Sequence, residues 1–203
     1  GLGDVYKRQI VYKANDDGGA RDKIMFFIDG TKNATVTVDV LAVNSAPVIY
    51  LPSYLEAVED APMNINGVYI TDSDIQHTSG SMMTVNVTVK NGSVSFWTLQ
   101  GLRIIEGRTP SSFISFEGSL TRINYVLSKM IFQSKENFFG NASLSVAAND
   151  NGNTGTGGSQ ISYKLTNILV EGQQDDPKLW YGDTVVQEGM VYELSLIHIS
   201  EPT

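Results

Sequence analysis

Apolar and polar residues alternate with a period of two over several short stretches of this chain. Val36, Val38 and Val40 alternate with Thr35, Thr37 and Asp39, and Val85, Val87 and Val89 alternate with Thr84, Asn86, Thr88 and Lys90. Each pattern predicts a strand with one face inward. Shorter strands are predicted over 48–51 and 54–58, interrupted by Pro52, and over 63–70 and 113–116. Asn91-Gly92 tolerates positive φ and predicts a hairpin, with Val94 and Phe96 continuing an inward face. Leu144, Val146 and Ala148 form a further inward face, and Ile161, Tyr163 and Leu165 alternate with Ser162, Lys164 and Thr166. One stretch has a different period. Leu120, Ile123, Val126, Leu127 and Met130 follow Ser119 at helical spacing, so a short helix capped by Ser119 is predicted over one edge or end of the sheets. Ile131 and Phe132 resume a strand, and Phe138-Phe139-Gly140-Asn141 reads as a turn with an aromatic plug. Short strands separated by frequent turns predict an all-β Greek-key sandwich with one short helix.

The pattern also repeats at long range. Ala14-Asn15-Asp16-Asp17-Gly18 is echoed by Ala148-Asn149-Asp150-Asn151-Gly152, Pro47 by Pro177, and Glu59 by Glu188, at offsets of 134, 130 and 129 residues. The organising stretch is Leu41 to Ile49. There one strand ends, and Pro47, with fixed φ and no N–H, suits the first residue of an edge strand. The division expected is the tail of one repeat over 10–45, a complete repeat over 46–175 and the head of a third over 176–194. Residues 1–9 and 195–203 resemble translated sequencing-library adapters and are set apart from the fold. The natural chain is then expected to continue at both ends.

Composition narrows the function class. The 203 residues include no cysteine, carry a net charge of −8 and have a pI near 4.7. That balance disfavours binding to a phosphate backbone, which needs clustered Lys and Arg. Excess carboxylate suits solubility or cations. No apolar run is long enough to span a membrane.

Val43-Asn44-Ser45-Ala46-Pro47, Glu59-Asp60, Asp72-Ser73-Asp74, Phe138-Phe139-Gly140-Asn141 and the stretch from Ala148 to Gly155 together resemble cadherin-like tandem repeats. The likeness is to the long-repeat kind of large adhesins and chondroitin-sulfate-proteoglycan-type ectodomains, and it covers roughly residues 10–190. It implies an Ig-like sandwich strung in a rod, Ca²⁺ between repeats and a role in adhesion. By the resemblance, Asp72, Asp74 and Asp150 share the upper end of the repeat with Asn44 of the junction. Glu59 lies at the lower end with Asp175 and Asp176 of the next junction, and Asp16 plays the part of Asp150 in the preceding repeat.

The chemistry of these residues is compatible with that assignment. Calcium takes six to eight oxygens from carboxylates, carbonyls, Asn side chains and water. Asp72 and Asp74 are two apart, so on an extended segment both point to one side. Asp150 sits in a Gly/Asn-rich loop whose carbonyls are free to turn. Against it, Asp-x-Asp in a polar loop is commonly a solvated turn, and Asp-Asn-Gly is an ordinary turn. Ser45 stands where the resembled family usually has an acidic residue, and the acidic triplet of animal cadherins is absent near residues 101–107, where only Glu106 occurs. Four Asn-x-Ser/Thr sites, Asn33, Asn86, Asn91 and Asn141, are compatible with a glycosylated secreted chain.

The leading expectation is a calcium-stiffened, extracellular ectodomain repeat of a large adhesion protein, anchored to a membrane outside this stretch. Its expected partners are neighbouring repeats, and another cell-surface protein or a glycan. The alternative is a metal-independent spacer or carbohydrate-contacting module of a secreted or wall-associated protein. An enzyme is not expected: there is no Cys, no usable His constellation and no phosphate loop. Glu106 and Glu117 are an acid pair that nothing in the sequence places across a cleft.

Overall fold

β1 (Arg21–Ile28) and β2 (Lys32–Asp39) pair antiparallel as a two-stranded sheet, closed at its far end by an exposed Arg21–Asp39 ion pair at 2.6 Å. The computed structural model describes residues 11–13, 21–28, 32–75, 80–153 and 155–174.

Past the junction the chain builds two facing layers. β3 (Val48–Tyr50) pairs with β6 (Tyr69–Thr71), while β4 (Tyr54–Val58) crosses to the other layer. Pro52 sits between them; it cannot donate to a ladder, so the strand changes sheets there. β4 pairs parallel with β13 (Ile161–Glu171), which is antiparallel to β12 (Gly140–Asn149). β7 (Met83–Lys90), β10 (Phe113–Gly118) and β9 (Arg103–Gly107) complete a six-stranded sheet in the order β4-β13-β12-β7-β10-β9. The opposing layer is β5 (Met63–Ile65), β11 (Met130–Ser134) and β8 (Gly92–Phe96), in the order β5-β11-β8, and β3 with β6 forms a separate two-stranded sheet. This is a Greek-key sandwich, mostly β with one short helix.

Period-two alternation places the core as the strands require. Val85, Val87, Val89, Leu144, Val146, Ile114 and Phe116 are buried from one layer, and Ile65, Ile70, Val94, Met130 and Phe132 from the other. Phe96 meets Phe116 edge to face across the interior, with ring centroids 5.9 Å apart. The helix α1 (Leu120–Leu127) is capped by Ser119, whose Oγ accepts from the Arg122 N–H, and it buries Leu120, Ile123, Val126 and Leu127. Asn124 on α1 both donates to and accepts from the Ile70 backbone at 2.8 Å, so its amide acts as a further strand partner for β6.

Three sequence expectations need correction, and one strand has no counterpart among them. Asn91-Gly92 is not a hairpin: Asn91 has φ 58°, but β7 and β8 lie in opposite layers, and β8 pairs with β11. A Cβ on Gly92 would lie 2.5 Å from the Phe132 ring and from the Gln133 carbonyl, so glycine permits this close crossing. The expected strand over 63–70 is two strands, broken where Gly67 takes φ 79°. Met130 begins β11 and is not part of the helix. β9 was not foreseen, because all five of its residues are exposed and carry no alternation.

Candidate functional site

Three segments distant in sequence meet at one end of the sandwich. The first is the loop after β12. The Asp150 Oδ1 accepts the N–H groups of Gly152 at 2.9 Å and Gln160 at 2.8 Å, so the carboxylate ties the loop's two ends together. Asn153 Nδ2 donates to the carbonyls of Asp150 and Met82, each at 2.6 Å, fastening the loop to the start of β7. The second segment is the junction. Val43 bridges Thr156, with Asn44 N–H donating to the Thr156 carbonyl and Thr156 N–H to the Ala42 carbonyl, both at 2.8 Å. Asn44 Nδ2 donates to Asp150 Oδ2 at 2.6 Å and to the Gly158 carbonyl at 2.7 Å. The third is the loop after β6. Asp72 Oδ1 accepts from the N–H groups of Asp74 at 2.9 Å and Ile75 at 3.1 Å, and Asp74 Oδ2 accepts from the Ser45 N–H at 2.6 Å.

Asn44, Asp72, Asp74 and Asp150 are therefore brought to one end. Asp150 is fully buried and Asp72 is 2% exposed. Asp72 Oδ2 has no hydrogen-bond partner. Burial pushes the Asp72 carboxyl above its ordinary range, the N–H bonds from Ile75 and Asp74 pull it back, and the charges of Asp74 and Asp150 push it up again. Among the described residues, no three Asp, Glu, His or Cys side chains converge as a ready-made metal group. One buried carboxylate oxygen here, Asp72 Oδ2, is uncompensated, and carboxylate oxygen is the kind of ligand a hard cation takes.

Glu59 lies at the opposite end. β4 and β13 run parallel, and Glu59 follows the end of β4 as Gln173 follows the end of β13. Its buried Oε2 accepts the Gln173 N–H at 3.0 Å, and its own N–H donates to the Glu171 carbonyl at 2.8 Å. Asp60, at φ 56°, accepts from the Asn137 N–H at 3.2 Å. Asp16, Asp175 and Asp176 lie outside the described residues, as does the side chain of Asn33.

Asn86 stands on the outer face of the central strand β7, whereas Asn91 Nδ2 donates to the Asn141 carbonyl at 3.1 Å, so these two sequons adjoin. Glu117 is held by Arg103 at 2.7 Å, on the strand neighbouring that of Glu106. Sequence reasoning missed Thr156, Gly158 and Gln160, which work through their backbones; the Gly-rich run itself was the one available signal.

No family model matches the chain, and no curated protein matches it. Among solved structures it is similar to human mucin-like protocadherin EC1-2, at 12% identity and a TM-score of 0.35, over 80% of this chain and 73% of that one. It is also similar to a nucleoside hydrolase-related hypothetical protein from Saccharophagus degradans, described as associated with carbohydrate metabolism, at 14% identity and a TM-score of 0.32. That match covers 64% of this chain and 26% of the other, so the chain spans about a quarter of that protein's length. Neither likeness bears on what this chain binds.

Proposed function

We propose that this chain comes from the ectodomain of a large cell-surface or secreted adhesion protein, in which cadherin-like repeats are stiffened by Ca²⁺ at their junctions. The observation that supports this reading is that the junction bonds both the 72–74 loop and the 150–160 loop at the end of the sandwich where Asp72 is buried with its Oδ2 unpartnered. Asp72, Asp74 and Asp150 would hold the ion, with Asn44 supplying a junction donor. The ion would neutralise carboxylates that otherwise repel, and would lock the junction segment onto the repeat that follows. Glu59 would serve the next junction in the same way. The role is mechanical, the partners are neighbouring repeats and a further surface protein or glycan, and the compartment is extracellular.

A second reading is a metal-independent spacer. It is favoured by one observation: both oxygens of Asp150 already accept from N–H donors, including Asn44, so the clasp closes without an ion.

A thermal melt in EDTA and then in about 10 mM Ca²⁺ separates the two. Extracellular calcium modules bind at about 10⁻⁴–10⁻³ M. Ligand at about 100-fold over Kd adds roughly 2.7 kcal/mol. A rise of several degrees with Ca²⁺, absent with Mg²⁺ and abolished by Asp72→Ala with Asp150→Ala, is the expected result. A melt indifferent to Ca²⁺ in a chain carrying two full repeats would leave the spacer.

A further inference from the structure

Away from the junction, the solvent face of the β5-β11-β8 layer carries an exposed tryptophan. Period-two alternation explains its direction but not its identity: Phe96 points into the core, so residue 97 must point out, and it is 82% exposed as Trp. Trp97 thus places in water a large aromatic surface whose apolar faces are open to a partner. Trp97 is also anchored, its backbone N–H donating to the Lys129 carbonyl at 3.3 Å.

The strand register lays polar groups beside it. Phe96 pairs with Met130, which pairs in turn with Ile65, so Trp97, Lys129 and Asn66 follow these in a row across the layer. Ile131 and Asn64 face each other in the adjacent row. Together with Ser128 these residues line an open cleft of about 280 Å³. Three strands at about 4.8 Å spacing make the row about 10 Å wide, the scale of one or two sugar rings. Neither Asn64 nor Asn66 lies in an Asn-x-Ser/Thr sequence, so both amides are chemically free of the glycan modification proposed for other asparagines.

We propose that this cleft is a saccharide-binding site for a neutral pyranose. The Trp97 indole supplies a flat apolar platform for the C–H face of the ring. Asn64 and Asn66 each offer an amide donor and acceptor, the pairing that adjacent sugar hydroxyls need, and Ser128 and Lys129 add donors at the rim. Charge selects the class: one lysine in a chain of net charge −8 does not favour a polyanionic glycan. The site is independent of the junction, and binding needs no metal.

The test uses the ¹⁵N-labelled full chain, with the Trp97 indole resonance assigned by its loss in Trp97→Phe. Oligosaccharides of glucose, galactose and N-acetylglucosamine, and a sulfated chondroitin oligosaccharide, are titrated to about 10 mM, because a shallow site for one or two rings supports Kd values of about 1 mM. The expected result is a saturable shift of the Trp97 indole and of the Asn64 and Asn66 side-chain amides with at least one neutral oligosaccharide, also in EDTA. Trp97→Ala should weaken binding about 10-fold or more with an unchanged melting temperature, since the side chain is exposed. No saturable shift with any neutral oligosaccharide overturns the proposal. So does a response that survives Trp97→Ala, or one to the sulfated ligand alone that Lys129→Ala removes.

Discussion

Asn44 donates its side-chain amide to the Asp150 carboxylate at 2.6 Å and to the Gly158 carbonyl at 2.7 Å, partners 106 and 114 residues further along the chain. One side chain thus pins the segment entering the repeat to the loop that precedes its last strand. Asn44→Ala leaves a buried carboxylate oxygen without that donor. It should lower stability by about 2–3 kcal/mol in urea unfolding. Asn44→Asp adds a charge beside Asp150. It should destabilise more in EDTA and recover in Ca²⁺, whereas a loss unchanged by Ca²⁺ would contradict the cation site.

Asp72 should make the metal-free protein gain stability on mild acidification. Its carboxyl titrates above the ordinary value of 3.8, chiefly because it is buried. Between that value and the raised one, the folded state holds more protons than the unfolded state, so this group's contribution rises as pH falls through the window. Asp72→Asn keeps the Oδ1 acceptor for the Asp74 and Ile75 N–H groups and removes the charge. In EDTA at pH 7 it should be more stable than the parent and should lose this pH dependence, as read by denaturant titrations from pH 4 to 7. The same substitution should weaken the Ca²⁺ response.

Gly155 is where the loop touches the junction. It has φ 70°, and a Cβ there would lie 2.8 Å from Asn44 N and 3.0 Å from the Ala42 carbonyl oxygen. Gly155→Ala should cost about 1–3 kcal/mol and speed amide exchange at Asn44 and Thr156, whose bonds hold the contact. Protection unchanged at both amides would show that the junction does not depend on this approach.

Asn124 fastens α1 to β6 through both polar atoms of its amide. Asn124→Ala leaves the Ile70 N–H and C=O without those partners and should cost about 2–3 kcal/mol by chemical denaturation. Asn124→Asp retains the acceptor for the Ile70 N–H but turns a carboxylate oxygen toward the Ile70 carbonyl, so it should cost at least as much as Asn124→Ala.

The β13 strand separates what is local from what is not. Ile161, Tyr163 and Leu165 alternate as a half-buried strand would, yet they are 66%, 64% and 49% exposed, and the buried set is Thr166, Ile168 and Val170. Which parity faces inward depends on the partner strands, which local alternation cannot name. Asn91-Gly92 failed for a related reason. Turn chemistry reports a change of direction, whereas the sheet that receives the next strand depends on packing between Gly92 and Phe132.

What the sequence determined by itself was the local pattern: the inward valines of β7, the Ser119-capped helix, the strand interruption at Pro52 and the class of fold they add up to. These follow from side-chain period and backbone restriction within a few residues, and need no knowledge of neighbours. The acidic residues were visible too, and the resemblance, not their local pattern, grouped Asp72, Asp74, Asp150 and Asn44 at one end. That Asp72 and Asp150 are buried there, that Asn44 bonds to Asp150, and that Trp97 stands in a row with Lys129 and Asn66 were decided by tertiary structure. Each depends on strand pairings across tens of residues, where register, and not composition, sets which side chains meet.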